Sequence, residues 1–218
     1  KMLKTNIKVS SITNLTDARY FAAREVRWMG FCLDENAENY IPPHIFKAIV
    51  EWVDGPQIVG EFGLMPAAAI RNTAADLGLK IVQLDFLAGV NVAQDLAGEF
   101  EIIKEIVVEP ASDEATLAAW MEQFASFCDY FILDFEKNNF SKNDLESGAP
   151  VSMNFLKQIF QKFKCLLAIR ESAENMEWLT DALRPHGLSL RGGGEEKTGF
   201  KSFDNLDEIF EKLELEDA

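Results

Sequence analysis

The chain has 218 residues, of which 48% are hydrophobic and 26% are charged, a balance that is ordinary for a soluble globular protein. Its formal net charge of −15 disfavours nucleic-acid and membrane partners, because such a surface repels phosphate backbones and anionic lipids, although an acidic surface also simply favours solubility. No apolar run reaches the roughly 20 residues that span a bilayer, and residues 1–6 lack the apolar stretch of a secretory signal, so we expect a cytoplasmic protein.

Short apolar runs alternate with amphipathic helical stretches along the whole chain. The predicted strands are Ile7–Ile12, Trp28–Leu33, Gln57–Phe62, Ile81–Leu84, Ile102–Val108, Tyr130–Leu133, Cys165–Ile169 and Leu188–Leu190. The predicted helices are Thr16–Arg24, Pro43–Val53, Pro66–Leu77, Val92–Phe100, Asp113–Phe127, Val151–Lys162, Ala173–Leu183 and Phe203–Leu213.

These repeated strand–helix units, with no Pro/Gly-rich linker between them, predict a parallel sheet with right-handed crossovers. Eight units favour a closed (β/α)8 barrel, the TIM barrel, as a single domain over residues 1–218. An open flavodoxin-like or Rossmann sheet is the alternative, but no Gly-x-Gly-x-x-Gly motif follows any predicted strand.

The cysteines and histidines give no sign of a metal centre. Cys32, Cys128 and Cys165 each lie in an apolar run, where a small buried hydrophobic residue is expected. The sequence has no Cys-x-x-Cys motif and only two histidines, His44 and His186. We therefore expect no metal and no cofactor.

The first predicted strand resembles that of a known enzyme family. Ile7-Lys8-Val9-Ser10-Ser11-Ile12-Thr13, followed by Asp17-Ala18, is similar to the Lys-Ile/Val-Cys-Gly-Ile/Leu-Thr…Asp-Ala opening of phosphoribosylanthranilate isomerase. Weaker matches follow in the family's order: Met29-Gly30-Phe31, Tyr40-Ile41-Pro42-Pro43, Val59-Gly60-Glu61-Phe62, Val82-Gln83-Leu84 and Phe131-Ile132-Leu133-Asp134. The resemblance implies the barrel fold of this tryptophan-biosynthesis enzyme, which catalyses an Amadori rearrangement of a sugar phosphate.

Several of the family's functional positions are occupied by other residue types. Ser10 stands where the family has its general-base Cys, and Asn39 stands where it has an Arg for the anthranilate side of the substrate. Asp85-Phe86 replaces a His-Gly pair. The phosphate-binding Ser-Gly-Gly-Leu of the seventh strand has become Ile169-Arg170-Glu171-Ser172. These changes predict weak or absent isomerase activity.

Asp134, Asp85 and Ser10 are the candidate catalytic residues. Asp134 matches the aspartate that serves the family as general acid, and both aspartates end predicted strands, the end where barrel enzymes place their active sites. If the two carboxylates lie close together, their repulsion raises the pKa of one of them. Alternatively, either aspartate caps the following helix or pairs with Lys8.

A phosphate site is predicted after the last two strands. Arg170, Arg191, Gly192, Gly193 and Gly194 would supply guanidinium groups and flexible backbone N–H donors, at the position where barrels commonly bind phosphate. The alternative interpretation is a surface loop with solvated arginines.

Two functions remain open at this point. The first is a diverged isomerase-like barrel that binds a small anionic or sugar-phosphate ligand, as a monomer or homodimer. The second is a non-catalytic paralogue that acts as a ligand-binding or protein-interaction module. Phe86, Phe135 and Phe140, if exposed around the mouth, would suit ligand stacking or a protein interface, but they could equally pack against helices.

Overall fold

The computed structural model describes residues 2–170, 172–191 and 203–215. The strands are β1 (Asn6–Ser10), β2 (Trp28–Cys32), β3 (Gln57–Phe62), β4 (Ile81–Leu84), β5 (Glu101–Val107), β6 (Tyr130–Asp134), β7 (Cys165–Ala168) and β8 (Gly187–Arg191). The α-helices are α1 (Leu15–Ala23), α2 (Pro43–Val50), α3 (Ala67–Asp76), α4 (Val90–Leu96), α5 (Glu114–Phe124), α6 (Lys142–Ser147), α7 (Met153–Lys162) and α8 (Asp204–Leu213).

The eight strands close into a barrel in chain order, and every neighbouring pair is parallel. The ring closes between β1 and β8, whose paired residues run from Asn6↔Gly187 to Ser10↔Arg191. The predicted (β/α)8 barrel is therefore confirmed, and the open-sheet alternative is wrong. Parallel closure brings the carboxyl ends of all eight strands to one face, where Ser10, Asp134 and Arg191 each end a strand.

Most predicted elements match within a few residues, and the differences have local causes. β1 ends at Ser10 rather than Ile12, because Ser11 adopts a left-handed backbone conformation with φ of 57°. The short helix α6 was not predicted; a capping box between Ser141 and Asp144 begins it. The predicted helix Ala173–Leu183 is instead a 3₁₀ turn, Ala173–Asn175, and a π-helical segment, Trp178–Leu183.

Two apolar layers support the barrel. One fills the barrel interior and consists of Trp28, Val59, Ile81, Ile103, Tyr130, Ile132, Leu166 and Ala168. The larger layer packs the outer faces of the strands against the helices. Edge-to-face contact between Trp28 and Tyr130, with ring centroids 5.1 Å apart, fills the end of the barrel at which the strands begin. In the part of the chain that is described, no helix is both long and apolar enough to cross a membrane.

Candidate active site at the barrel mouth

A cavity of about 260 Å³ opens at the carboxyl end of the strands. Residues from β1, β2, β3, β4, β5, β6, β7 and β8 and from the loops that follow several of them line it. Its polar lining includes Ser10, Ser11, Asn39, Gln83 and Ser189, the carboxylates Asp34, Glu61, Asp85, Glu105, Asp134 and Glu136, and the cations Lys137 and Arg191. All three candidate catalytic residues thus lie around one opening, together with one of the two predicted arginines.

Ser10 is held by a buried ion pair. The Lys8 side chain is fully buried; its Nζ donates to Ser10 Oγ at 2.7 Å and to Glu61 Oε1 at 2.9 Å. Glu61 also accepts hydrogen bonds from Ser11 N (3.1 Å to Oε1) and from Ser11 Oγ (3.1 Å to Oε2). Lys8 therefore pairs with Glu61 rather than with Asp85 or Asp134, the two partners expected from sequence.

Gly30 of β2 makes room for this ion pair. A Cβ atom at position 30 would lie 1.7 Å from Glu61 Oε1 and 2.9 Å from Lys8 Nζ. Since both distances are far shorter than a van der Waals contact, a larger residue at this position would displace the buried charges. The glycine is thus required by a close approach of side chains, and not by its backbone conformation.

Asp134 lies in a second group of charges on the opposite side of the mouth. Its Oδ1 accepts a hydrogen bond from Lys137 N at 2.9 Å, and its Oδ2 lies 3.9 Å from Lys137 Nζ and 3.8 Å from an Arg191 Nη2. Lys137 Nζ also forms an ion pair with Glu105, and Arg191 Nε lies 3.5 Å from Glu136 Oε2. The two cations are therefore already engaged with carboxylates.

Asp134 acts on the carboxyl group of Glu105, whereas the sequence suggested a pair between Asp134 and Asp85. Burial raises the pKa of Glu105, the neighbouring Asp134 raises it further, and Lys137 opposes both effects. Asp85 is half-buried, and its Oδ1 accepts a hydrogen bond from Leu87 N at 2.7 Å. Each aspartate therefore accepts from a main-chain N–H of the segment that follows its strand, a turn after β4 for Asp85 and the 3₁₀ segment Glu136–Asn138 for Asp134.

Lys104 of β5 supports the same loop from outside the barrel. Its fully buried side chain donates from Nζ to the Asp85 carbonyl at 2.5 Å and to the Ala88 carbonyl at 2.9 Å. Burial lowers the Lys104 pKa from its ordinary 10.5 to about 8, against the opposing charge of Asp85. The side chain thus joins two main-chain oxygens of the loop after β4.

Cys32 lines the cavity, although only a packing role was expected from its apolar sequence context. Burial raises the pKa of its thiol, and the negative charges of Glu61, Asp34 and Asp85 raise it further. Three carboxylates from different segments therefore act on one sulfur atom. The thiol keeps its proton at neutral pH.

The predicted phosphate residues are only partly described. Arg191 lies at the end of β8 with its side chain 53% exposed, and Arg170 is exposed just after β7. Gly192, Gly193 and Gly194 lie outside the described residues. The described part of this region thus contributes the two guanidinium groups.

The aromatic residues expected around the mouth are mostly packed. Phe135 is fully buried and makes an edge-to-face contact with Phe140, with ring centroids 6.0 Å apart. Phe86 is half-buried, and Lys137 Nζ lies 4.9 Å from its ring centroid. Of the two alternatives left open by the sequence, Phe135 follows the packed one, and the protein-interaction interpretation loses that support.

Sequence reasoning missed Glu105 as part of the site. A signal was present, because Lys104 and Glu105 interrupt the otherwise apolar β5 run from Ile102 to Val107. Alternation along a strand places Glu105 on the same face as Ile103, which lies inside the barrel. Among the described residues, no group of three His, Cys, Asp or Glu side chains is placed to hold a metal ion.

Comparison with known proteins gives one consistent result. A family model described as N-(5'phosphoribosyl)anthranilate (PRA) isomerase matches residues 7–212. The N-(5'-phosphoribosyl)anthranilate isomerase of Maridesulfovibrio salexigens is 25% identical over 211 residues, covering 94% of this chain and 96% of the relative. That of Nostoc punctiforme is 24% identical over 215 residues, covering 95% and 97%.

Solved structures agree on the fold. A phosphoribosyl anthranilate isomerase from Thermus thermophilus has a TM-score of 0.75 at 23% identity, covering 96% of this chain and 98% of that one. The structure of another such isomerase, with a TM-score of 0.74 at 21% identity and the same coverage, holds reduced 1-(o-carboxyphenylamino)-1-deoxyribulose 5-phosphate. A dimeric relative from Thermotoga maritima, also solved as monomers, has a TM-score of 0.74 at 20% identity, again with the same coverage.

Proposed function

Because the chain belongs to the N-(5'-phosphoribosyl)anthranilate isomerase family, we propose that it is a diverged member that binds a small phosphorylated ligand at the barrel mouth and has little or no isomerase activity. The observation that carries this proposal is the environment of Ser10, which occupies the position of the family's general base. Its Oγ accepts a hydrogen bond from the buried ammonium group of Lys8 at 2.7 Å.

Ser10 is poorly suited to remove a proton from carbon. A neutral hydroxyl is a far weaker base than a thiolate, and Lys8 occupies a lone pair of the oxygen that would accept the proton. His44 lies exposed on α2 and His186 lies next to Trp28 at the other end of the barrel, so neither imidazole serves this serine. Cys32 does not replace the base, because its pKa is raised and it remains a thiol.

The charge of the cavity also disfavours the family's reaction. The ligand named for the solved relative carries a carboxylate and a phosphate, so it is anionic at both ends. Among the described residues, six carboxylates and two cations line the cavity, and both cations contact carboxylates. A doubly anionic substrate would therefore meet repulsion in the part of the mouth that is remote from Arg191.

The retained groups have assigned roles in the proposal. Asp134 and Glu105 exchange a proton or a hydrogen bond with the ligand, since Glu105 has a raised pKa and the two carboxyls are neighbours. Arg191 and Arg170, with Gly192, Gly193 and Gly194, hold the phosphate group, and an anion there competes with Asp134 and Glu136 for Arg191. Asp85 shapes the opposite wall, and no cofactor takes part.

Location and assembly are part of the same proposal. Cys32, Cys128 and Cys165 are all unpaired, as is usual in a reducing compartment, which supports a cytoplasmic location. A monomer or a homodimer is proposed because the Thermotoga maritima relative has been solved in connection with both states.

The test is growth of a bacterium that lacks its own isomerase on medium without tryptophan. Loss of a general base lowers a rate by about 10²- to 10⁴-fold, and the missing anion contacts lower it further. We therefore expect no rescue at high expression, whereas the Thermotoga maritima relative rescues. Ser10→Cys is also expected not to rescue, because the cavity carboxylates remain.

Two outcomes would contradict the proposal. Growth with the unchanged protein that disappears with Asp134→Asn would mean that the isomerase reaction is retained. Growth restored by Ser10→Cys alone would mean that the charge of the cavity is no obstacle to the family's substrate.

A further inference from the structure

We infer that the ligand at the barrel mouth is a phosphorylated amine: its ammonium group contacts Asp34, Asp85 and Gln83 on the β2–β4 side, and its phosphate lies on the β7–β8 side. This inference rests on the proposed phosphate site and adds the chemical class of the ligand. It follows from the uneven distribution of positive and negative side chains around the cavity.

The cations of the mouth compensate only some of its carboxylates. Lys8 pairs with Glu61, and Lys137 pairs with Glu105. Arg191 lies near Asp134 and Glu136. Asp34 and Asp85 line the same cavity, and neither has an ion-pair partner among the described residues.

The hydrogen bonds of Asp34 and Asp85 come from neutral donors. Asp34 Oδ1 accepts from Asn36 N at 2.9 Å and from Asn36 Nδ2 at 3.2 Å, and Asp85 Oδ1 accepts from Leu87 N at 2.7 Å. The nearby cation Lys104 contacts the main-chain oxygen of Asp85 rather than its carboxylate. Among the described residues, each carboxylate therefore has only neutral donors on Oδ1 and keeps Oδ2 as an oxygen that can accept from a ligand.

Gln83 gives an independent indication of a ligand in the same place. Its side chain lines the cavity, is only 9% exposed, and pairs in register with Glu61 across β3 and β4. Its amide oxygen has no hydrogen-bond partner among the described residues. A buried acceptor of this kind is normally satisfied by a donor, and rotation about the last side-chain bond can present it to a ligand N–H.

The carboxylates Asp34, Glu61 and Asp85 line one cavity around the end of β3. A Cβ atom at Gly63 would lie 1.9 Å from Asp34 Oδ2, and Asp85 N donates to the Phe62 carbonyl at 3.1 Å. One ammonium group in this space would lie close to several negative charges in a partly enclosed site, where ion pairing is stronger than in water. The cavity volume of about 260 Å³ is slightly below the range typical for drug-sized ligands, so the ligand is small.

Four probe compounds test the contributions of the amine and of the phosphate to binding separately: glucosamine 6-phosphate, glucose 6-phosphate, glucosamine and glucose. Binding to the purified full chain is measured by calorimetric titration. We expect glucosamine 6-phosphate to bind best and the loss of its amine to weaken binding about tenfold or more, the scale of one charge-assisted hydrogen bond. Asp34→Asn/Asp85→Asn should remove this preference for the amine while leaving the glucose 6-phosphate affinity no weaker.

A matched control changes the same net charge at the surface. Glu51→Gln/Glu211→Gln removes two exposed carboxylates and should leave the amine preference unchanged. Thermal unfolding of each variant establishes that it is folded before titration.

The outcomes distinguish the inference from the proposed function. Equal affinity for glucosamine 6-phosphate and glucose 6-phosphate would overturn the amine inference and leave the phosphate proposal standing. Equal affinity for glucosamine and glucosamine 6-phosphate would overturn the phosphate proposal, and the inference that the ligand is a phosphorylated amine would fail with it. No binding of any probe at millimolar concentration would overturn both.

Discussion

The buried pair between Lys8 and Glu61 permits a quantitative test of the site's architecture. Lys8 Nζ lies 2.9 Å from Glu61 Oε1, and the side chains are 0% and 9% exposed. At an effective dielectric constant of 20, the Coulomb attraction at this distance is about 6 kcal/mol. Most of this attraction is offset by removal of the two charges from water, so the net contribution of the intact pair is small.

Removal of one partner has a much larger effect than removal of both. Lys8→Met leaves Glu61 buried with only the hydrogen bonds from Ser11, and we expect a loss of roughly 3–5 kcal/mol in the free energy of unfolding. The double variant Lys8→Met/Glu61→Gln has no unpaired charge and keeps an acceptor for Ser11. It should recover most of this loss.

A double-mutant cycle compares the unchanged protein with Lys8→Met, Glu61→Gln and Lys8→Met/Glu61→Gln. The stability of each protein is measured by urea denaturation, with circular dichroism as the signal. We expect a coupling free energy of about 2 kcal/mol or more between positions 8 and 61. Arg71→Met, which breaks an exposed ion pair with Glu99, is the control and should leave the denaturation midpoint nearly unchanged. Additive effects within about 0.5 kcal/mol would refute the assignment of a buried, mutually dependent pair.

Three further results are expected. Gly30→Ala should destabilise the protein by roughly 1–3 kcal/mol by overpacking against Glu61 in the same urea assay, and an unchanged midpoint would contradict the close approach. The pKa of Lys104 is about 8 in the folded chain and 10.5 in the unfolded chain. Between these two pH values the unfolded chain holds a proton that the folded chain has released, and the free energy of unfolding therefore rises with pH. From pH 7 to 9 this gain in the free energy of unfolding is roughly 1 kcal/mol. The Lys104→Met variant should lack the gain, and the control Lys47→Met, at an exposed lysine, should keep it. Identical stability–pH profiles for Lys104→Met and the unchanged protein would contradict the lowered pKa of Lys104. Folding raises the pKa of Glu105, so this carboxyl contributes most to stability below its unfolded pKa and progressively less as pH rises through its folded pKa. Glu105→Gln removes the carboxyl, and the stability of the variant relative to the unchanged protein should therefore rise from pH 4 to 7. A constant difference in stability between the two proteins over this interval would show that the pKa of Glu105 is not raised.

The fold was predictable because the barrel repeats one unit. Apolar runs such as Ile81–Leu84 and Cys165–Ala168 are short and bounded by helical patterns, and repetition of the unit identified a closed parallel ring. Local irregularities were not predictable in this way. Ser11, whose backbone is left-handed, donates hydrogen bonds to Glu61, a residue far away in the sequence.

The sequence predicted some of the residues that line the site, but it did not predict which charged side chains pair with one another. Strand ends identify Ser10, Asp85, Asp134 and Arg191 as residues of the mouth, because parallel strands bring their carboxyl ends together. The partners of a charge depend on side-chain reach across the barrel. Sequence spacing therefore did not indicate that Lys8 pairs with Glu61, or that Asp134 acts on Glu105 rather than on Asp85.

The central proposal, that this family member has little or no isomerase activity, is tested most directly by turnover of phosphoribosylanthranilate with purified protein. We predict a kcat/KM at least about 10⁴-fold below that of the Thermotoga maritima relative measured in parallel, the combined effect of a lost base and lost anion contacts. Turnover within tenfold of that relative, abolished by Asp134→Asn, would contradict the proposal.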